Sequence, residues 1–128
     1  MDNLRTARLL ITGSRDWSDR ATMFAALRDA WRELRGQGFD EIVLVHGAAR
    51  GADLLAAEIW GQVGLPTEAH PADWSGLGRK AGPVRNQQMV DLGADLCLAF
   101  PLGKSRGARG YMAAARRAGI TVRNHGDS

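Results

Sequence analysis

The sequence predicts an α/β fold built on a parallel sheet of about five strands. Short apolar runs alternate with longer amphipathic segments along the chain, and glycine-bearing loops follow three of the apolar runs. Because parallel strands need long crossover connections, usually helices, this alternation favours right-handed βαβ units over an antiparallel sheet. The length of 128 residues is that of one domain. We therefore expect a single domain over 1–128, with its core over about 7–123 and a frayed tail over 124–128.

The predicted elements follow this pattern in order. The expected strands are the apolar runs over residues 7–13, 41–47, 67–70, 95–100 and 120–122. The first expected helix is capped by Ser18 or Asp19 and ends near Arg35. Three more helices are expected over residues 52–62, 83–92 and 109–118. The continuous apolar character of strands two and four places them inside the sheet, where helices cover both faces.

The composition is that of an ordinary globular protein with a modest positive charge. The formal net charge is +3, and nearly all the cations are arginines, which suit bidentate contacts to phosphate or carboxylate. Cys97 lies in an apolar run, which predicts a buried core residue, and a lone cysteine fits a reducing compartment. No signal-peptide pattern or apolar run of ~18 residues is present, so we expect a cytoplasmic protein without membrane contact.

The three glycine-bearing loops predict a phosphate-binding site. The carboxyl ends of parallel strands share one edge of a sheet, where ligands bind. Glycine allows backbone N–H groups to approach a ligand, and the start of a following helix attracts anions. The predicted ligand-binding residues of these loops are Gly13, Ser14, Arg15 and Trp17 after strand one, His46, Gly47, Ala49, Gly51, Ala52 and Asp53 after strand two, and Pro101, Ser105, Arg106, Gly107 and Gly110 after strand four.

A second dense patch lies over residues 73–86 and adds an aromatic side chain, glycines, cations and an amide. Trp74 would stack on a base, while Arg85 and Asn86 would fix ribose or phosphate. Lys80 and Gly82 complete the predicted ligand-binding residues of this patch. The alternative is that Trp74 packs in the core and Arg85 is a solvated helix residue.

Several common sites are excluded by the motifs. The loops match neither the Walker phosphate loop nor the Gly-x-Gly-x-x-Gly dinucleotide fingerprint. His70 and His125 have no partners at metal-ligand spacing, so neither a metal nor a cofactor is expected. His46 after a buried strand is typical of a structural histidine, and Asp53 near a helix start is also explained by capping. Glycines in the loops also serve turn geometry alone, which is the structural alternative to phosphate binding.

The motifs resemble a known family. Residues 12–17 (TGSRDW), 46–53 (HGAARGAD) and 80–89 (KAGPVRNQQM), with Phe100-Pro101 before a glycine-rich loop, are similar to the YspA-type, YpsA-related branch of the SLOG superfamily. The resemblance spans about residues 8–122. It implies a three-layer Rossmann-like domain and a nucleotide-type ligand, in bacteria or their phages. The wider superfamily includes the LOG phosphoribohydrolases, the DNA-processing protein DprA and nucleotide sensors.

One departure from the LOG enzymes concerns catalysis. Their motif Pro-Gly-Gly-x-Gly-Thr-x-x-Glu supplies a glutamate, whereas residues 101–112 of this chain contain no carboxylate. Ala108 also stands where related loops have threonine. Hydrolysis of a glycosidic bond needs a carboxylate, and the nearest candidates are Asp53 and Asp16 on other loops. Asp53 is the better catalytic candidate, with Arg85 as its electrophilic partner.

Three functions stay open at this point. The first is a sensor or carrier that binds a nucleotide-derived small molecule, and the second is an N-glycosidic hydrolase. The third is DprA-like binding of single-stranded DNA, favoured by the basic charge and the tryptophans. Homo-oligomerisation is also open, since the small side chains of Ala113, Ala114 and Ala115 allow close packing of helices either within or between chains.

Overall fold

The computed structural model describes residues 4–127, which form an α/β fold with a five-stranded, entirely parallel sheet in the order β3-β2-β1-β4-β5. The strands are β1 (Thr6–Gly13), β2 (Glu41–His46), β3 (Thr67–Ala69), β4 (Leu96–Phe100) and β5 (Val122–Asn124). Strands two and four lie inside the sheet as predicted, and β1 lies between them. The predicted fold class is therefore confirmed.

Helices cover both faces of this sheet. They are α1 (Arg20–Gly36), α2 (Ala52–Gln62), α3 (Trp74–Leu77), α4 (Ala81–Asp91) and α5 (Arg106–Arg117), with one 3₁₀ turn over Gly78–Lys80 before α4. Side chains of β1 alternate between the two faces: Leu9 and Ile11 pack in the cluster with α1 and α2, and Leu10 packs in the cluster with α4 and α5. This arrangement gives the three-layer domain that the sequence predicted.

The second core cluster contains three residues about which the sequence made specific predictions. Cys97 is fully buried there, and burial raises the pKa of its thiol to about 12, so the cysteine is a core residue. Ala114 and Ala115 pack in the same cluster, so they serve the contact between α5 and the sheet. Within residues 4–127, no helix is both long and apolar enough to cross a membrane.

Helix α5 begins three residues before the predicted start. The sequence prediction assigned residues 102–107 to a glycine-rich loop and therefore started the helix at Arg109; Gly107 in the first turn also lowers helix propensity. Packing overrides that propensity, because Ala108, Tyr111 and Ala115 fall on one buried face. The last strand also moves two residues later than predicted, since Gly119 turns with a φ of +81° and Ile120 packs before pairing begins.

The chain end is held against the sheet, which differs from the predicted frayed tail. The His125 N–H donates to the Ala99 carbonyl, and the imidazole stacks on Phe100 with ring centroids 5.4 Å apart. Asp127 accepts a hydrogen bond from the Gly103 N–H at 2.8 Å. These contacts tie residues 124–127 to β4 and to the loop before α5; Ser128 lies outside the described residues.

The carboxyl end of β1 lies in close contact with both β4 and α2. A Cβ atom built on Gly13 would lie 2.5 Å from the Ala52 Cβ and 2.8 Å from the Phe100 carbonyl oxygen. The next residue, Ser14, donates its N–H to the Phe100 carbonyl and accepts from the Ala52 N–H. Only glycine fits at position 13, and its small size brings the loops after β1 and β4 together.

We expect Gly13→Ala to lower the free energy of unfolding by about 1–3 kcal/mol, because the methyl group overpacks this junction. Gly61→Ala is the matched control, since Gly61 lies in α2 with open space around it. That change is expected to stabilise the protein by about 0.4–1 kcal/mol. Urea unfolding of the three proteins measures both effects, and equal destabilisation by the two substitutions would contradict the close packing at Gly13.

Candidate functional site

A cleft of about 560 Å³ lies at the carboxyl edge of the sheet, beside the ends of β1 and β4. Its walls come from the loop after β1, the start of α2, α4 and the loop that leads into α5. The strand order reverses here, which is where ligands bind in open α/β sheets. Twelve of the predicted ligand-binding residues line it: Gly13, Ser14, Arg15, Ala49, Asp53, Trp74, Gly82, Arg85, Asn86, Ser105, Arg106 and Gly107.

The start of α5 lines this cleft. Among the described residues, no side chain caps the first backbone N–H groups of the helix. The hydroxyl of Ser105 donates to the Leu102 carbonyl and accepts from the Leu102 N–H, so it closes the loop and does not cap the helix. The first turn carries no acidic residue. The N–H groups of Arg106, Gly107 and Ala108 have no partner within a helix, so they are available to an anion.

Cationic side chains outnumber anionic ones along the cleft. Arg15, Lys104 and Arg106 are exposed at its rim, and Asp16 is the one exposed carboxylate among the described lining residues. The Arg15 guanidinium lies over the indole of Trp74, 5.4 Å from the ring centroid, and the indole is half-exposed. The rim therefore combines positive charge with an accessible aromatic surface.

Asp53 is a buried carboxylate in the first turn of α2. Its Oδ2 accepts hydrogen bonds from the N–H groups of Gly47 at 3.0 Å and Ala49 at 3.4 Å, which fix the loop after β2. Burial raises the pKa of Asp53 to about 6, although those N–H groups and the positive charges of Arg85 and Arg15 oppose the shift. The carboxyl therefore titrates close to neutral pH inside the cleft.

Arg85 joins two loops beneath the cleft. Its Nη1 donates to the carbonyls of Gly47 and His70, and its Nε donates to the Asn86 side-chain oxygen at 2.6 Å. The residue is 9% exposed, so the alternative of a solvated helix side chain is wrong. Burial lowers the pKa of Arg85 somewhat, while Asp53 opposes the shift, and the guanidinium remains charged.

Tyr111 lies on α5 with its side chain buried in the core. The residue also forms part of the cleft wall. It is 2% exposed, and its hydroxyl has no hydrogen-bond partner among the described residues. Burial strongly raises the pKa of the phenol, so the hydroxyl is neutral and can donate. A buried hydroxyl without a protein partner is rare in folded proteins.

A second cleft of about 350 Å³ adjoins the first. The two share Arg15, Ala49, Trp74 and Arg85, and Gly47 lines the second one only. Of the predicted residues of the loop after β2, Asp53 therefore lines the first cleft, Gly47 lines the second and Ala49 lines both.

Two predicted ligand-binding side chains lie in the protein interior and not along either cleft. Trp17 packs on Phe100 with ring centroids 5.2 Å apart, and its indole N–H donates to the Asp19 carbonyl. His46 is buried, and its Nδ1 accepts from the Ala48 N–H at 3.0 Å. Burial and nearby positive charge lower the pKa of His46, so the imidazole is neutral. Both residues hold the loops from beneath.

The remaining predicted residues also lie outside both clefts. Gly51 has a φ of +82° and packs against the backbone of Ser14, which is possible only for glycine. Ala52 packs under Gly13, and Pro101 is buried beneath the chain end. Lys80 on the 3₁₀ turn and Gly110 on α5 are exposed, and neither lines a cleft.

Sequence reasoning missed Tyr111, which is the single tyrosine of the chain. It lies three residues after Ala108 and four before Ala115, so helical spacing alone would have placed it on the buried face of a helix that began at Arg106. Within residues 4–127, no group of three or more His, Cys, Asp or Glu side chains is arranged to hold a metal ion.

We expect Asp53 to make stability fall as pH rises from about 4 to 6. The folded carboxyl binds its proton up to a pKa of about 6, whereas the ordinary value is 3.8, so the folded state binds more protons in this range. Asp53→Asn keeps an oxygen for the loop N–H groups and removes the titration. Relative to the wild type, the variant should gain up to about 3 kcal/mol between pH 4 and 7 in urea unfolding. A difference that does not change with pH would contradict the buried, titrating carboxyl.

Comparisons with known proteins agree with the motifs at this cleft. The model of the YspA, cpYpsA-related SLOG family matches residues 7–76, which include the loops after β1 and β2. The "Gene 61 protein" of Mycobacterium phage D29 is 50% identical over 125 residues, covering 94% of this chain and 97% of that protein. No solved structure matches the chain. As the sequence motifs predicted, this chain belongs to the YspA, cpYpsA-related SLOG family.

Proposed function

We propose that this protein binds a phosphorylated, nucleotide-derived small molecule in the cleft and acts as a sensor or carrier. The observation that carries the proposal is the start of α5, where Arg106, Gly107 and Ala108 line the cleft and no described side chain caps the helix. Anions bind at such helix starts because unpaired N–H groups and the helix dipole act together. Arg15, Lys104 and Arg106 add positive charge around the same point.

The rim of the cleft also suits a nucleobase. Trp74 exposes half its surface between the two clefts and already carries the Arg15 guanidinium over its ring. Bases stack on such indoles with a gain of about 1–3 kcal/mol. Membership of the SLOG family agrees with a nucleotide-related role, and the name of the phage relative adds no ligand.

A second candidate function is N-glycosidic hydrolysis, and the environment of Asp53 favours it. A carboxyl with a pKa of about 6 in a cleft can exchange protons near neutral pH, as general acid–base catalysis requires. Against this, Oδ2 is occupied by two loop N–H groups, and residues 101–112 contain no carboxylate. Binding without turnover is therefore our first proposal.

A thermal-shift screen tests the proposed function. The probes are nucleoside monophosphates, NAD, ADP-ribose and cyclic dinucleotides, with single-stranded DNA as the competing ligand class and mass spectrometry of the products. A ligand at 100 times its Kd stabilises by ~2.7 kcal/mol, which should raise Tm by roughly 5–15 °C. An intact stabilising ligand supports a sensor or carrier, and a released base supports the hydrolase. If only DNA stabilises the protein, or no probe does, the small-molecule proposal is wrong.

We expect Gly107→Asp to lower the affinity for the best phosphorylated probe at least tenfold. The new carboxylate would lie at the start of α5 and repel a phosphate there. Its negative charge interacts favourably with the helix dipole, so the stability of the fold should be retained or increased. Gly110→Asp is the matched control, because it adds the same charge to α5 at an exposed position outside the cleft. The affinity of Gly110→Asp for the same probe should stay within about twofold of the wild-type value, since exposed charges are screened by salt. Isothermal titration measures both, and equal losses in the two variants would count against a phosphate at the helix start.

A further inference from the structure

The charges of the chain are unevenly divided along its sequence. Residues 74–128 contain nine Lys or Arg and three Asp or Glu, which is a formal net charge of +6. Residues 1–73 contain eight Lys or Arg and eleven Asp or Glu, which is a net charge of −3. Because α1 and α2 cover one face of the sheet and α4 and α5 cover the other, the side of the molecule that carries α4 and α5 is the more basic one.

Helix α5 presents a continuous positive surface on this side. The helix contains four arginines and no acidic residue. With 3.6 residues per turn, the four fall within an arc of about 100° around the helix axis; they are Arg106, Arg109, Arg116 and Arg117. Gly110 and Ala113 lie between the two pairs on the same arc, and both are exposed. The outer face of α5 is therefore a cationic strip about 16 Å long with only small residues in its middle.

The protein itself supplies no negative charge to this strip. Within residues 4–127, none of its four arginines forms an ion pair with a carboxylate. Helix α1 also has four arginines, but it carries two acidic residues, and its Arg20 and Arg28 pair with Glu58 and Asp29. Like charges that share a helix face repel each other, and cations in a first helical turn also oppose the helix dipole. The strip therefore suits a partner that brings the missing negative charges.

The chemistry of the strip distinguishes between the anionic polymers that could bind it. Guanidinium groups make paired hydrogen bonds to phosphate. Tyr111, the aromatic residue of α5, is buried, so the strip offers no ring on which the bases of a single strand could stack. A helix that binds membranes inserts large apolar side chains, whereas the apolar face of α5 packs against the sheet. These features favour the phosphate backbone of a double helix.

We propose that the outer face of α5 binds the phosphate backbone of a nucleic-acid duplex without regard to sequence. The strip spans about five phosphates of one strand, at 3.4 Å per phosphate along the duplex axis. The small residues Gly110 and Ala113 let the backbone approach the helix between the two pairs of arginines. Of the four arginines, Arg106 lines the cleft, while Arg116 and Arg117 lie at the other end of the helix. The duplex surface is therefore distinct from the small-molecule site.

Fluorescence anisotropy with a labelled DNA duplex and an RNA duplex of the same sequence tests this proposal. If about four phosphates are neutralised, the Kd of the wild type should rise roughly 100-fold between 50 and 200 mM NaCl. The double variant Arg116→Gln/Arg117→Gln should bind at least tenfold more weakly at 100 mM NaCl, and its salt slope should fall by about two. The control Arg28→Gln/Arg32→Gln removes the same charge from exposed positions of α1 and should stay within about twofold of the wild type.

The outcomes separate this proposal from its rivals. Binding of either duplex with the expected loss in the α5 variant supports it, and the tighter of the two identifies the nucleic acid. If neither duplex binds at 50 mM NaCl, or if the α5 and α1 variants lose affinity equally, the proposal is wrong. Tighter binding of a single strand of the same length, or binding only to vesicles that contain phosphatidylserine, would also overturn it. None of these results changes the standing of the small-molecule site.

Discussion

The carboxyl end of β1 has almost no free space around it, and the positions of the cleft loops depend on that packing. Gly13 touches Ala52 at the start of α2 and Phe100 at the end of β4. The backbone of Ser14 then forms hydrogen bonds with the backbones of Phe100 and Ala52. Because these contacts join elements distant in sequence, the loops after β1, β2 and β4 are held as one unit.

Charge and burial divide the cleft into two chemical regions. The exposed rim has Arg15, Lys104 and Arg106 beside the uncapped start of α5, where solvent moderates every charge. The interior has Asp53 and Arg85, whose mutual attraction opposes the cost of burying them.

The order of the five strands and of α1, α2, α4 and α5, and much of the cleft, could be predicted because their signals are local, whereas the four-residue helix α3 was not predicted. Glycines after apolar runs identified the loops that line the cleft. Trp17 and His46 were misplaced because adjacency to a loop does not reveal which way a side chain points, and both point into the core. Tyr111 was missed because its place depends on where α5 begins, which packing on the sheet decides and helix propensity does not. The anchored chain end depends on contacts between His125 or Asp127 and distant residues, which no local pattern contains.

The central claim is that a phosphate binds at the start of α5, and amide NMR tests it most directly. Ribose 5-phosphate and ribose are titrated separately into ¹⁵N-labelled protein, and the N–H signals of Arg106, Gly107 and Ala108 are followed. We predict that ribose 5-phosphate moves these three signals in a saturable way and that ribose at the same concentrations does not. If ribose 5-phosphate binds while these signals stay fixed, the phosphate lies elsewhere and the claim is contradicted.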